Sequence, residues 1–303
     1  MNKKSKVSVV ISAYNEGQNI KYVIRDILAQ DQKNWELLEI LIYCDGCTDD
    51  TAESARSVGS KKVKVMEGRS RKSKPFRLGQ AFKKFEGSIA VIFDGDVKLG
   101  SASVISEVIE PIVKNKNVVL TGGNTRPFEP TTFVERAVYS TFKVFEKSRE
   151  EKNGGHNLFG CTGACMAVEQ KFAKSIRFPK VINEDDYLYF SCVSRGFKFR
   201  HVRDAKVYYK LPSKLSDYMK QVFRSNPEAV LINFEKYFGP LVKKEYQRSR
   251  VFYALSVIKV FLQDPIPVLL IISANILARP FFSIVQSRYK LEWYTASSTK
   301  RLI

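Results

Sequence analysis

The chain has 303 residues, 44% of them hydrophobic, which is enough for a sizeable core and excludes a disordered segment. Its 50 Lys and Arg against 31 Asp and Glu give a formal net charge of +19, favouring a polyanionic partner: nucleic acid, an acidic membrane face or phosphorylated substrates. Five cysteines, an odd count in so long a chain, imply no disulfide framework; Cys44 and Cys47 lack the second pair of a zinc ribbon and read as small buried residues.

Met1 to Lys6 run straight into the apolar Val7-Ser8-Val9-Val10-Ile11, a first strand, which leaves no room for a signal peptide and predicts an intracellular protein. Asn15 is expected to cap the next helix, with Gln18 three residues later completing a capping-box pattern. On that helix Ile20, Val23, Ile24, Ile27 and Leu28 fall on one face. Glu39-Ile40-Leu41-Ile42-Tyr43 reads as the second strand, residues 48–57 as a short helix stopped near Gly59, and Lys62-Val63-Lys64-Val65-Met66 as the third strand. Pro75 opens a helix that ends before Gly87. The fourth strand, Ile89-Ala90-Val91-Ile92-Phe93, runs into Asp94-Gly95-Asp96. This alternation predicts an α/β fold with a mostly parallel sheet covered by helices on both faces.

Beyond Asp96 the pattern loosens. A helix is expected within 101–115, a strand at 118–121 and a long helix from about 131 to 150, with Val134, Val138, Thr141, Phe142 and Phe145 on one mainly apolar face. A Gly-rich segment spans 154–163. Glu184-Asp185-Asp186 then opens a helix with Leu188 and Cys192 inward and Gly196 as its C′ residue. Residues 251–285 are largely apolar but interrupted by Lys259, Gln263, Asp264 and Arg279 and broken by prolines. The uninterrupted piece, 266–278, is shorter than the about 20 residues of a spanning helix. These residues form either an amphipathic pair in the membrane interface, with basic residues on anionic headgroups, or helices packed on the core or at a dimer contact.

In a parallel sheet the residues just past each strand share one edge, where such folds bind ligands. Here they are Ala13-Tyr14-Asn15-Glu16, Asp45-Gly46, the basic loop Arg69-Ser70-Arg71-Lys72-Ser73-Lys74, and Asp94-Gly95-Asp96. Two carboxylates flanking a glycine suit a divalent cation shared with a substrate diphosphate, although Asp and Gly are also ordinary turn residues. The basic loop suits phosphate oxygens. Neither a Walker A pattern nor GxGxxG is present.

In this order, Val9 to Glu16, Asp45 to Thr51, Lys74, Asp94-Gly95-Asp96 and Glu184-Asp185-Asp186-Tyr187-Leu188 resemble the motifs of family 2 glycosyltransferases of the GT-A fold, over roughly residues 5–225. The resemblance implies a Rossmann-like transferase domain over residues 1–235; the apolar composition beyond it predicts a helical, membrane-associated region over 236–303. The resemblance also implies an inverting transferase that moves a sugar from a nucleotide-diphosphate sugar, most often a UDP-sugar, with Mg2+ or Mn2+. The acceptor would be a hydroxyl or phosphate of a glycan or polyprenyl-phosphate-type lipid, met at the inner face of the cell membrane on an anionic surface. By the same resemblance Ala13, Tyr14, Glu16 and Asp45 hold the base and ribose, Lys74 lies near the phosphates, and Asp94 and Asp96 are the metal and ribose carboxylates. Asp185 is the catalytic base, and Glu184, Gln221 and Arg224 lie on the acceptor side.

Two positions depart from the family pattern. Cys47 stands where many members carry Ser. Gln221-Val222-Phe223-Arg224-Ser225 has Ser225 in place of the Trp on which processive synthases seat the acceptor, which weakens the case for chain extension. Two other functions fit less. A sugar nucleotidyltransferase would carry a Gly-rich loop with Arg and Lys where Ala13 to Glu16 stand. A nucleic-acid-binding protein rests on charge alone, without RRM, KH or zinc-finger patterns, so no nucleic-acid partner is expected.

Overall fold

The computed structural model describes residues 4–181, 183–224, 227–281 and 296–301. The first ninety-four residues alternate as the apolar runs require: β1 (Ser5–Ala13), α1 (Ile20–Leu28), β2 (Trp35–Cys44), α2 (Thr51–Arg56), β3 (Val63–Glu67), α3 (Lys74–Lys84) and β4 (Ile89–Asp94). β5 (Val97–Leu99), α4 (Val104–Lys114), β6 (Val118–Pro127) and the long α5 (Phe133–Glu151) follow. Next come β7 (Cys165–Glu169), α6 (Gln170–Ser175), α7 (Glu184–Ser194) and β8 (Lys198–Tyr209). The chain ends in helices α8 (Leu215–Arg224), α9 (Pro227–Phe238), α10 (Leu241–Tyr246), α11 (Arg250–Gln263) and α12 (Pro265–Ala278).

The chain forms two compact units. Residues 1–126, 160–209 and 300–303 make the first; residues 127–159 and 210–299 make the second. The sequence-based boundary at residue 235 follows chain order, whereas the contacts group α5 with the C-terminal helices.

The first unit holds one eight-stranded sheet of order β3-β2-β1-β4-β7-β6-β8-β5. β1 pairs in parallel with both β2 and β4, and β2 with β3, as the strand–helix alternation predicts. The parallel expectation holds only for this half. β7 pairs antiparallel with β4 and β6, and β5 antiparallel with β8, because the helix-by-helix crossovers that parallel pairing needs stop after β4. Central strands are buried on both faces: Val7, Val9, Val10 and Ile11 of β1 are fully covered. On one face Ile20, Val23, Ile24 and Ile27 of α1 join Val104, Ile105 and Val108 of α4 in the main core.

One local expectation fails. Asn15 does not cap α1; the N-cap residue is Asn19, whose side chain bonds Glu16 and Lys300 rather than the first-turn N–H groups. Asn15 instead takes a left-handed φ of 54° and turns its amide to Thr48, accepting from Thr48 N at 2.9 Å and donating to its Oγ1 at 3.1 Å. The C′ glycine after α7 is as expected, Gly196 having φ 78°.

In the second unit α5 starts with a capping box, Thr132 and Glu135 each bonding the other's backbone. Val144 of α5, Val260 of α11 and Val268 of α12 form a small apolar core. Arg136 donates to both carboxylate oxygens of Asp264, at 2.9 Å each, and pins the α11–α12 elbow to α5.

Candidate active site

The register sets the site. Ser12 lies opposite both Tyr43 of β2 and Asp94 of β4, so Tyr14, Asp45 and Gly95 leave the sheet at one edge. β7 begins at Cys165 opposite Phe93, which brings Gly163 and Ala164 to the same edge; Asp94 N donates to Ala164 O at 3.4 Å.

Asp45 is buried and gathers the basic loop. Its carboxylate accepts from Lys72 N at 2.9 Å, Ser73 N at 3.0 Å and Arg77 Nε at 2.7 Å. Ser73 thereby holds a φ of 127°. Gly46 has φ +70°, and a Cβ there would lie 2.5 Å from Arg71 N, so only glycine allows the loop so close. Arg71 then stacks its guanidinium 3.8 Å from the Tyr14 ring centroid. Asp45→Ala removes two charge-assisted backbone bonds and should open this loop more than roughly tenfold more often. Limited trypsinolysis at Arg69, Arg71 and Lys72 reads that rate; unchanged cleavage would mean the loop is held otherwise.

A second cluster centres on Lys74, at the start of α3. Its ammonium donates to Asp94 Oδ1 at 2.5 Å, Glu184 Oε1 at 2.6 Å and Gly163 O at 3.0 Å. Burial opposes the charge, yet Asp94 and then Glu184 overcome it and hold the proton well above the ordinary lysine value. All three ammonium hydrogens are used within the protein. Lys74 therefore bridges the Asp94 and Glu184 carboxylates. Glu184, expected on the acceptor side, is 1% exposed and pairs with Lys74. Its Oε2 has no partner among the described residues, and burial, against Lys74 and with Asp185, pushes its carboxyl up to about 7. Gly163 is the space-maker, since a Cβ there would lie 2.3 Å from Glu184 Oε1.

Asp185 is half-buried beside this pair. Its Oδ2 accepts from Gly163 N at 3.0 Å and its Oδ1 from Asp186 N at 2.9 Å. Burial first and Asp186 second push it up to about 6. One buried ammonium thus joins the Asp94 turn to the helix that carries Asp185.

On the far side of Asp94-Gly95-Asp96 stands Glu16, packed against Gly95 and pushed up to about 8 by burial and by Asp96. It pairs with Lys300, whose ammonium also donates to Tyr14 O at 3.2 Å while its carbonyl accepts from Asn19 Nδ2 at 2.9 Å. Nothing in the linear sequence announces Lys300, which lies 284 residues from Glu16. Arg77 and Gly163 were missed for the same reason: their partners are distant in sequence. Gln221 and Arg224 lie on α8, in the second unit.

The donor set fits a divalent cation. Asp96 is raised by burial and, against Lys300, by Asp94, and Glu16 and Glu184 also keep their protons above the usual range. Five carboxyl groups sharing two ammoniums leave the site short of positive charge. Among the described residues no three His, Cys, Asp or Glu side chains converge to hold a metal by themselves. Two adjacent hard-oxygen carboxylates suit a cation that takes its remaining ligands from phosphate and water.

Known proteins resemble this chain in sequence and fold. A sequence model of glycosyl transferase family 2 matches residues 8–177. The Escherichia coli UDP-Glc:alpha-D-GlcNAc-diphosphoundecaprenol beta-1,3-glucosyltransferase WfaP is 26% identical over 207 residues, 68% of this chain and 77% of WfaP. The dolichol-phosphate mannosyltransferase of Pyrococcus furiosus is 31% identical over 117 residues, 38% of this chain and 32% of that protein. The mannosyltransferase PcManGT of Pyrobaculum calidifontis, solved with GDP-Man and Mn2+, shares the fold at TM-score 0.59 and 17% identity, over 95% of this chain and 80% of its own. Glucosyl-3-phosphoglycerate synthase of Mycobacterium tuberculosis, solved with Mn2+, UDP and phosphoglyceric acid, does so at 0.55 and 19%, over 76% and 78%. With more than half of its length matched by the family model, and the motifs gathered at one edge of a GT-A sheet, the chain belongs to glycosyl transferase family 2.

Proposed function

We propose that this glycosyltransferase moves a sugar, with inversion, from a UDP-sugar to a hydroxyl or phosphate of a glycan or polyprenyl-phosphate-type acceptor, at the cytoplasmic face of the cell membrane. The observation that carries this reading is the Lys74 bridge, which sets Asp94 of the donor edge against the Glu184–Asp185 pair. Ala13, Tyr14 and Asp45 then receive the base and ribose, and the loop that Asp45 latches closes over them. Asp94 and Asp96 would hold Mg2+ or Mn2+, which when bound supplies positive charge to the departing nucleoside diphosphate. Asp185, held by two backbone N–H groups, takes the acceptor proton; a base with a pKa close to the working pH is well matched to that step. Gln221 and Arg224 are assigned to the acceptor side. The lipid-linked acceptor follows WfaP, named for a diphosphoundecaprenol substrate, and the basic composition of the chain.

A thermal-shift screen of UDP-, GDP- and dTDP-sugars, with and without Mn2+, tests the donor. A bound donor at a hundredfold excess over its Kd stabilises by about 2.7 kcal/mol, which is several degrees in Tm. The expected result is a shift with UDP-sugar that grows with Mn2+. No shift with any nucleotide would overturn the donor site.

A further inference from the structure

Within the second unit, α11 and α12 pack on α5 through Val260 and Val268 and turn another face outward. On α11 that face carries Leu255, Ile258 and Leu262; on α12 it carries Ile266, Leu269 and Leu277, all more than half exposed and Leu262 at 75%. On each helix the spacing is that of a single stripe. Six large exposed aliphatic side chains on consecutive helices exceed the scattered apolar residues of an ordinary surface. Among the described residues no helix is long and apolar enough to cross a membrane.

The charge on these two helices has one sign. Neither helix contains an Asp or Glu, and Asp264 between them is neutralised by Arg136. Lys259 lies on α11 between Leu255 and Leu262, and Lys143 and Lys147 stand on α5, the helix α11 packs against; burial, then Lys259 and Lys143, lower the pKa of Lys147. A second copy in a two-fold contact would set these lysines against their equivalents, at a repulsive cost. A polynucleotide would satisfy the lysines but leave the aliphatic stripe in water. A plane of anionic headgroups over acyl chains satisfies both.

We propose that the outer face of α11 and α12, with Lys259 on α11 and Lys143 and Lys147 on the adjoining α5, lies on an anionic lipid surface, its aliphatic side chains entering the headgroup–acyl boundary. The proposal deepens the lipid-acceptor reading and names the surface on which the acceptor is met, yet it stands on geometry separate from the donor site.

The test is co-sedimentation of the full chain with vesicles of phosphatidylcholine alone or with phosphatidylglycerol, without donor or acceptor. Pelleting with the anionic vesicles, weakened by salt, is expected. Leu255→Gln with Leu262→Gln should lower the pelleted partition by more than roughly tenfold. Lys147→Gln with Lys259→Gln should lower it roughly fivefold per lysine on anionic vesicles only. Circular dichroism and the donor thermal shift check that each variant is folded. A chain that stays in the supernatant with both vesicles overturns the proposal. So does a dimer in analytical ultracentrifugation that Leu255→Gln with Leu262→Gln makes monomeric, because a second copy then covers the face. Vesicle binding without a donor shift would instead sink the transferase site and leave this surface standing.

Discussion

Asp185→Asn should cut sugar transfer by roughly 10²–10⁴-fold, the usual contribution of a positioned general base, while leaving the Tm shift produced by donor unchanged. The amide keeps the shape of the carboxylate and can still accept from Gly163 N, but it cannot take a proton. The readout that separates a base from a structural residue is the pH profile. Burial and Asp186 push the Asp185 carboxyl up to about 6. Its working form is the deprotonated one, so native kcat/KM should hold above that value and fall tenfold per pH unit below it. The residual activity of Asp185→Asn should lack this limb. Equal turnover by the variant, or an acid limb that survives in it, would move the base elsewhere. The same raised value has a stability sign: the folded state binds more protons than the unfolded one between the ordinary Asp range and about 6, so this group's contribution falls as pH rises through that window.

The edge that gathers Tyr14, Asp45 and Asp94 was legible because these residues stand at strand ends. Four apolar runs, each followed within a residue or two by Tyr14, Asp45, Arg69 or Asp94, predict one parallel edge, and parallel pairing delivers it. The rest depends on pairings that leave no local periodicity. Ala164 reaches Asp94 only because β7 runs antiparallel to β4, and Lys300 reaches Glu16 only because residues near 300 return to the first turn. That Lys74 bridges Asp94 and Glu184 has no local signal, because Glu184 is distant in sequence and reads as part of an acidic helix start. Asn15 fails as a cap because the strand-end turn needs a left-handed residue there, and Asn tolerates that φ. The helix-breaking Asp264 and prolines of 251–285 correctly forecast two short helices, but which of their faces would be open depended on how they packed on α5.

Lys74→Met should be the most destabilising single change at the site, by about 3–5 kcal/mol, because it leaves two carboxylates around a buried position that held their shared cation. Asp94 is partly exposed and can recover water, whereas Glu184 is 1% exposed and its Oε2 already has no partner among the described residues. Relief must then come from protonation of Glu184, which stands at about 7 even with Lys74 present. Without the ammonium that value rises further, so the penalty should be smaller at pH 6 than at pH 8, and urea denaturation at the two values measures it. Adding Glu184→Gln removes the stranded charge. The double variant should therefore be less destabilised than the sum of the two single changes by roughly 1–3 kcal/mol. Strict additivity, or a penalty that does not depend on pH, would show that Lys74 holds the two segments by packing alone. Mn2+-dependent donor binding should not return in the double variant even where stability does, because Asp94 no longer has the ammonium that fixes its carboxylate beside Asp96. Recovery of stability without recovery of donor binding is the signature of a cation whose task is to aim the metal-side carboxylate.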